Sequence, residues 1–228
     1  MKKTLLALTT ALTVLPALTA QADWTPPQVY LGTHAGGTFG HGDFDTHATI
    51  AGNTVKLNGS KGETFFTGGV FAGARYFFGN FFGGVEVEGN WDGMNLDVAL
   101  LDSRVADFWR LNLKRSWQIV PSAVLGWKMN EKTALYAKFG AGISKFRLIE
   151  GDNQITENAK TDRIVHFVPA LGAEYEVHKN VGVRLEVSGE FFGKDIKGTS
   201  SSATGNLSQR TEVEYNSVSV KFGLLLKI

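Results

Sequence analysis

The chain has 228 residues, 23 basic against 22 acidic side chains, 27 glycines, five prolines and no cysteine. A disulfide scaffold is excluded, and so even a charge balance supplies no basic field for a nucleic-acid backbone. Beyond the N-terminus no run approaches the roughly 18 consecutive apolar residues that a membrane helix needs, which leaves a soluble β protein or a β-barrel whose lipid face is hidden by alternation.

Lys2 and Lys3 precede an uncharged stretch, Thr4 to Thr19, and then Ala20-Gln21-Ala22, small residues flanking one position as signal peptidase requires. The pattern predicts a cleaved signal peptide over 1–22 and an exported mature chain over 23–228.

From there, eight segments repeat with period two, one parity apolar and the other polar or glycine. In the first, Val29, Leu31 and Ala35 oppose Tyr30, Gly32, His34 and Gly36. Phe66, Val70, Ala72, Ala74 and Tyr76 then oppose Thr67, Gly69, Gly73 and Arg75, and Phe81, Val85, Val87 and Trp91 oppose Glu86, Glu88 and Asn90. Trp117, Ile119, Ala123, Leu125 and Trp127 face away from Ser116, Gln118, Ser122 and Gly126; Leu135, Ala137, Phe139, Ala141 and Ile143 face away from Tyr136, Lys138, Gly140, Gly142 and Ser144. The sixth sets Val165, Phe167, Leu171, Ala173, Tyr175 and Val177 against His166, Gly172, Glu174 and Glu176, and the seventh Val181, Val183, Leu185, Val187 and Phe191 against Arg184, Glu186, Ser188 and Glu190. The last carries Val218, Val220, Phe222, Leu224, Leu226 and Ile228 on one face, with Leu225 as the apolar exception on the other.

Short connections at Gly79-Asn80, Met129 to Lys132 and His178 to Asn180 alternate with long ones over 40–63, 92–107, 147–162 and 193–212. Tight periplasmic turns and long extracellular loops alternate in this way in an all-β, eight-stranded antiparallel up-and-down transmembrane barrel. Phe66 and Tyr76, Phe81 and Trp91, and Trp117 and Trp127 are matched pairs ten residues apart, the span of a strand of about 9 to 11 residues crossing the hydrocarbon, so with Tyr175 and Phe191 they predict two aromatic girdles. Pro121 and Pro169 fall inside strands, where each removes a ladder donor, and predict bulges or water-bridged sites.

Eight strands enclose an interior that side chains fill. The inward face brings Arg75, Lys138, Arg184 and Lys221, joined towards the outside by Arg110 and Lys114, against Glu86, Glu88, Glu174, Glu176, Glu186 and Glu190. Buried charges persist when paired, so the matched signs predict an ion-pair network plugging the lumen; the functional alternative is a proton or ion path. Inward Gly69, Gly73, Gly84, Gly140, Gly142 and Gly172 leave room for those side chains.

His41, Asp43, Asp45 and His47 fall at every second residue, on one side of an extended backbone, and are weighed as a divalent-metal site against the preferred reading of a solvated hairpin face. No Gly-x-Ser-x-Gly, His-Glu-x-x-His or phosphate-binding glycine loop is present, and no histidine stands beside a serine on an apolar face, so no catalytic residue and no cofactor is assigned. Residues 198–209 are small and polar without an apolar anchor and are read as a mobile loop, with a partner-binding role and a plain solvated loop as equal alternatives.

FTGGVFAGARYFF (66–78), NFFGGVEVEGNW (80–91), LYAKFGAGIS (135–144), PALGAEYEV (169–177) and the final strand resemble the small eight-stranded outer-membrane barrels of the OmpA-like and opacity-type group, often described as porin-family proteins. Lys221, Gly223, Leu226 and Ile228 are similar to that group's C-terminal assembly signal, with Ile228 where an aromatic is usual. The resemblance implies a location in the bacterial outer membrane and a barrel without the peptidoglycan-binding domain of full-length OmpA-type proteins. The partners it implies for this monomer are outer-membrane lipid and lipopolysaccharide, the barrel-assembly machinery and a host or extracellular ligand at the loops, with no nucleic acid. It further implies a non-catalytic role in adhesion, immune interaction or envelope integrity, ahead of a narrow pore or conduit for small solutes and of a lipid-modifying enzyme.

Overall fold

A computed structural model describes residues 26–50, 53–101, 108–152, 155–192, 196–201 and 207–228; the expected signal peptide, 1–22, lies outside them. The strands are β1 (Gln28–Ile50), β2 (Asn53–Phe78), β3 (Phe81–Asp92), β4 (Asn95–Leu101), β5 (Phe108–Lys128), β6 (Thr133–Asp152), β7 (Ile155–His178), β8 (Val181–Phe191), β9 (Ile196–Ser201) and β10 (Leu207–Lys227). Antiparallel pairing runs β1-β2-β3-β5-β6-β7-β8-β10 and closes through β10 on β1, from Tyr30↔Lys227 to Ile50↔Leu207. β4 and β9 extend the two short strands, β3 and β8, by pairing with β5 and β10. The ring therefore has eight staves, and closure removes the unpaired edge that could not survive in hydrocarbon.

The eight amphipathic segments lie in these staves, with the apolar parity outward. Two of the expected long connections are mostly strand: β1 runs to Ile50 and β2 begins at Asn53, so most of 40–63 is paired. The same is true of much of 147–162, where β6 reaches Asp152 and β7 starts at Ile155. Likewise, the polar stretch 198–209 contributes 198–201 to β9, opposite 208–211 of β10; residues 202–206 of that stretch lie outside the described residues.

The physical reason is an inversion of chemistry at constant geometry. Below the upper aromatic belt, apolar side chains point out to lipid; above it, the outward neighbour is water and the apolar side chains point in. Phe39 is 57% exposed whereas Phe44, five residues higher on the same stave, is 1% exposed. The other staves switch in the same way: Phe66 to Phe65, Trp91 to Met94, Ile119 to Leu113, Ile143 to Phe146, Val165 to Ile164, Phe191 to Phe192 and Val218 to Tyr215, each from an exposed to a buried apolar residue. A search for one apolar parity stops at this switch, although the ladder hydrogen bonds continue through it.

Of the two expectations for Pro121 and Pro169, bulges or water-bridged sites, the first is not met. Each proline is half-buried on the outward face and paired on one side, Val87↔Pro121 and Phe139↔Pro169. On the other side the ladder lapses and resumes in unchanged register, between Ile119↔Ile143 and Ser122↔Gly140, and between Phe167↔Phe191 and Ala170↔Ser188. A missing N–H removes a bond locally without inserting a residue. The bulges lie elsewhere, at Arg115/Trp117, Glu150/Asp152 and Glu176/His178.

The β1–β10 seam depends on a glycine. A Cβ on the inward Gly36 would sit 2.0 Å from the Val220 carbonyl oxygen and 2.8 Å from Lys221 Cα, whereas one on the outward Gly37 meets nothing within 4 Å. Gly36→Ala is expected to destabilise the folded barrel by about 3 kcal/mol, the upper end of overpacking penalties, and Gly37→Ala to be close to neutral. Urea unfolding of both variants in lipid vesicles checks this; equal stabilities would contradict the seam geometry.

Candidate functional site

The lumen is filled in layers, each set by which inward residues the staves bring to one height. At the periplasmic mouth, a recess of about 70 Å³ is lined in part by Gln28, Arg75, Phe77, Lys128 and Glu174. Lys128 Nζ lies 4.0 Å from the Phe77 ring centroid, and Lys227 pairs with the half-exposed Glu176. Above it, Tyr30, Phe71 and the exceptional Leu225 form one buried cluster, and Phe82, Val124 and Tyr136 another. The Arg184 guanidinium lies 4.2 Å from the Phe71 ring and 4.9 Å from that of Tyr136, so its faces are covered by π systems.

The edges of that guanidinium and its neighbours form the central layer. Arg184 donates to Glu86 and Glu174, each at 2.8 Å, and Arg75 donates to Glu174 at 2.7 Å. Lys138 Nζ reaches Glu86 at 2.9 Å and Glu88 and Glu186 at 2.8 Å, and Lys221 pairs with Glu88 and, at 3.7 Å, with Glu186. The Tyr30 hydroxyl donates to Glu86 and that of Tyr136 to Glu186. Four cations thus face four carboxylates in a buried, neutral cluster, the condition under which low-dielectric charge is tolerated. Glu86, Glu88 and Glu186 bring three carboxylate oxygens within 4.8 Å of one another. Lys138 Nζ donates to Glu86 and Glu88 and pairs with Glu186, and together with Arg184 and Lys221 it supplies the positive charge that faces these three carboxylates.

A polar layer follows. His34 Nε2 contacts Asn90 Oδ1 at 2.7 Å, Asn90 donates to Gln118 at 3.0 Å, and Gln118 Nε2 lies 2.8 Å from Glu190 and 2.9 Å from His166 Nε2. Arg115 joins Glu190 to Asp92, and Ser217 donates to Glu190. The His166 ring stacks at 4.0 Å on Phe192, which belongs to the topmost layer: Phe44, Phe65, Met94, Leu113, Phe146, Ile164, Phe192, Val213 and Tyr215. Every stave, or the residue just beyond it, contributes to this apolar cap, which closes the lumen above the charges.

Arg75, Glu86, Glu88, Lys138, Glu174, Arg184, Glu186, Glu190 and Lys221 are all buried in the lumen. Lys114 is not with them, and its expected inward position is corrected: it is exposed, because the bulge between Arg115 and Trp117 adds one residue and reverses parity above it. Arg115 takes the inward place that period two alone gave to Lys114. The side chain of Arg110 lies outside the described residues. Glu176 stands at the periplasmic rim with Lys227, outside the central cluster. Sequence reasoning missed Arg115, Asp92, Asn90, Gln118, His34 and His166 as one network; the single available signal was several long polar side chains on inward parity near the outer belt.

On the outer surface, Phe66, Phe81, Trp91, Trp127, Tyr175 and Phe191 are exposed and Tyr76 and Trp117 half-buried. Phe81 is opposite Trp127 at the lower level, and Trp91 is opposite Gly68, two residues from Phe66, at the upper. In the terminal strand Lys221 and Gly223 face in, and Leu226 and Ile228 face out. His41, Asp43 and Asp45 are exposed and His47 half-exposed in a row on β1, with His41 Nε2 3.4 Å from Asp43 Oδ1. Spacing of about 6.6 Å between alternate residues of a strand keeps the row extended, and the carboxylates opposite it, Glu214 and Glu212, are on β10.

Two solved structures with TM-scores above 0.5 are similar in fold, and a third aligns below that level. The outer membrane protease OmpT of Escherichia coli aligns at 12% identity and a TM-score of 0.54, over 92% of this chain and 100% of its own. OprG of Pseudomonas aeruginosa aligns at 15% identity and 0.53, over 86% and 95%. Neisserial surface protein A, NspA, aligns at 12% and 0.46, over 88% and 97%. At such identities the likeness concerns the fold. No curated protein matches the chain in sequence. The family described as outer membrane protein beta-barrel domain matches residues 5–224, and the chain belongs to that family, as an integral β-barrel of the bacterial outer membrane.

Proposed function

We propose that this barrel is a closed, non-catalytic envelope protein that works through its extracellular hairpins, as a surface-interaction or adhesin-type protein. One observation carries this reading: the lumen is blocked twice, by the Lys138-centred ion-pair cluster and by the apolar cap contributed from every stave. A hydrated ion would have to displace matched charges and then cross a layer in which Leu113, Val213 and Tyr215 are 0% exposed. Against catalysis, each lumen carboxylate of Glu86, Glu88, Glu174, Glu186 and Glu190 already accepts from an arginine or lysine. A general acid or base must instead be free to reach a substrate proton.

Two outcomes are expected. In planar bilayers the refolded mature chain, and the variant carrying Arg184→Gln with Glu186→Gln, should be silent or show rare flicker; steady unitary steps altered by these substitutions would make the protein a pore. Lys138→Met leaves three buried carboxylates with one cation fewer and should cost about 3–5 kcal/mol, the range for removing one partner of a buried ion group. Adding Glu86→Gln removes the surplus charge and should recover a large part of that loss in vesicle unfolding titrations. Additive losses would mean that the cluster does not act as a unit.

A further inference from the structure

Two cross-strand pairs above the apolar band set like charges face to face. On the outward face, Asp43 of β1 stands directly opposite Glu214 of β10, and Lys114 of β5 directly opposite Arg147 of β6. All four are exposed, and the half-buried Lys145 adds a third cation on β6. Like charges directly across a ladder destabilise it, and little within the barrel relieves them. Among the described residues Asp43 has His41 at 3.4 Å, whereas Glu214, Lys114 and Arg147 have no hydrogen-bond or ion-pair partner. The neighbouring Asp45, Glu212 and Arg163 interact within their own chain.

Their places in the ring make the two pairs complementary. From β1 to β5 the ring passes through β2 and β3, and from β10 to β6 through β8 and β7, so the acidic seam and the basic seam lie on opposite sides of the barrel. Their heights agree as well. Asp43 lies four residues beyond Phe39, Glu214 four before Val218 and Arg147 four beyond Ile143, each counted from the last exposed apolar residue below the charges. Lys114 shares the level of Arg147 by register. Phe39 and Val218 on one side and Ile119 and Ile143 on the other are exposed at lipid depth, so two barrels can meet through apolar surface with the unlike seams facing each other above it. The membrane fixes the axis of every copy, and seams on opposite sides give a head-to-tail contact that repeats as a row instead of closing into a ring. An anion bound at the basic seam alone would leave the repulsion between Asp43 and Glu214 in place. We propose that copies of this chain associate side by side in the outer membrane, Asp43 and Glu214 of one against Lys114, Lys145 and Arg147 of the next.

The absence of cysteine from the chain allows a clean cross-linking test. The mature chain is refolded in phosphatidylcholine vesicles as two variants, Asn216→Cys beside the acidic seam and Ser116→Cys beside the basic one, both at exposed positions. On oxidation the mixture should give a disulfide-linked dimer, and either variant alone at least fivefold less. Asp43→Lys with Glu214→Lys in the Asn216→Cys copy should lower the yield of the mixture at least fivefold, and Lys114→Glu with Arg147→Glu in the Ser116→Cys copy should then restore it. Raising salt from about 0.05 to 0.5 M should lower the parent yield, since the pairs are exposed to screening. Folding is read from the fast-migrating unheated band on a denaturing gel; if a reversed variant fails to fold, Asp43→Asn with Glu214→Gln, which removes the like-charge repulsion, takes its place and should lower the yield in the same way. A yield that ignores the acidic seam while following Lys114 and Arg147, as a lipid-bridged contact would give, overturns the proposal. So would folded reversed partners that show no rescue, or Asn216→Cys alone cross-linking as well as the mixture.

Discussion

The structure depends on one constraint: in hydrocarbon every backbone N–H and C=O must find a partner within the protein. β10 pairing with β1 over Tyr30↔Lys227 to Ile50↔Leu207 is what satisfies it. Once the ring closes on eight staves, its interior is too narrow for bulk water and too wide to be left empty. The inward parity must then supply volume, and the charges placed there must be paired inside the protein. Arg184 illustrates the solution, with its two terminal nitrogens on Glu86 and Glu174 and its faces against Phe71 and Tyr136, although its Nε is left without a hydrogen-bond partner among the described residues. The glycines are part of the same economy of space, since Gly172 lies where a Cβ would come within 2.3 Å of the Tyr136 ring. That ring's hydroxyl holds Glu186.

The same ring passes through two solvents, and the inward and outward faces exchange roles between them. At lipid depth the outside is apolar and the inside charged; above the belt the outside is charged and the inside apolar. Hydrophobic burial therefore comes from opposite faces at the two levels, and the cap of Phe44, Phe146, Phe192 and Tyr215 is a small globular core built on the membrane section. This arrangement explains why the ion-pair cluster needs no lid from a loop: the continuation of the staves covers it.

Legibility followed from how regular the alternation is. Where one parity stays apolar for seven or more residues, as at Val218 to Ile228 or Val181 to Val187, both the strand and its facing can be read, and with them Arg184, Glu186 and Lys221 as inward groups. Two things defeated the reading. The inversion above the belt looks like the end of a strand, because His41-Gly42-Asp43-Phe44 has its apolar residue on the parity that was polar below. The Arg115/Trp117 bulge then shifts the count by one, exchanging Lys114 for Arg115, and nothing in the local composition marks the extra residue. Pro121 and Pro169 looked like the obvious irregularities, yet a lost N–H leaves register intact while an inserted residue does not.

That the described parts of the hairpins are paired strands changes the kind of recognition open to them. A loop that orders on binding loses conformational entropy at that moment, whereas a ladder such as Gly40↔Glu63 to Ile50↔Asn53 has lost it on folding. A partner would meet a wall already formed, on which period two presents every second side chain at fixed spacing and sends the others to the apolar cap. Substitutions on that wall can then alter surface chemistry without disturbing the interior, because His41, Asp43 and Asp45 point outward while Gly42 and Phe44 between them point inward. Scaffold and surface are thus separated residue by residue along a single strand, which lets the exposed parity vary in sequence while the inward parity keeps the barrel closed.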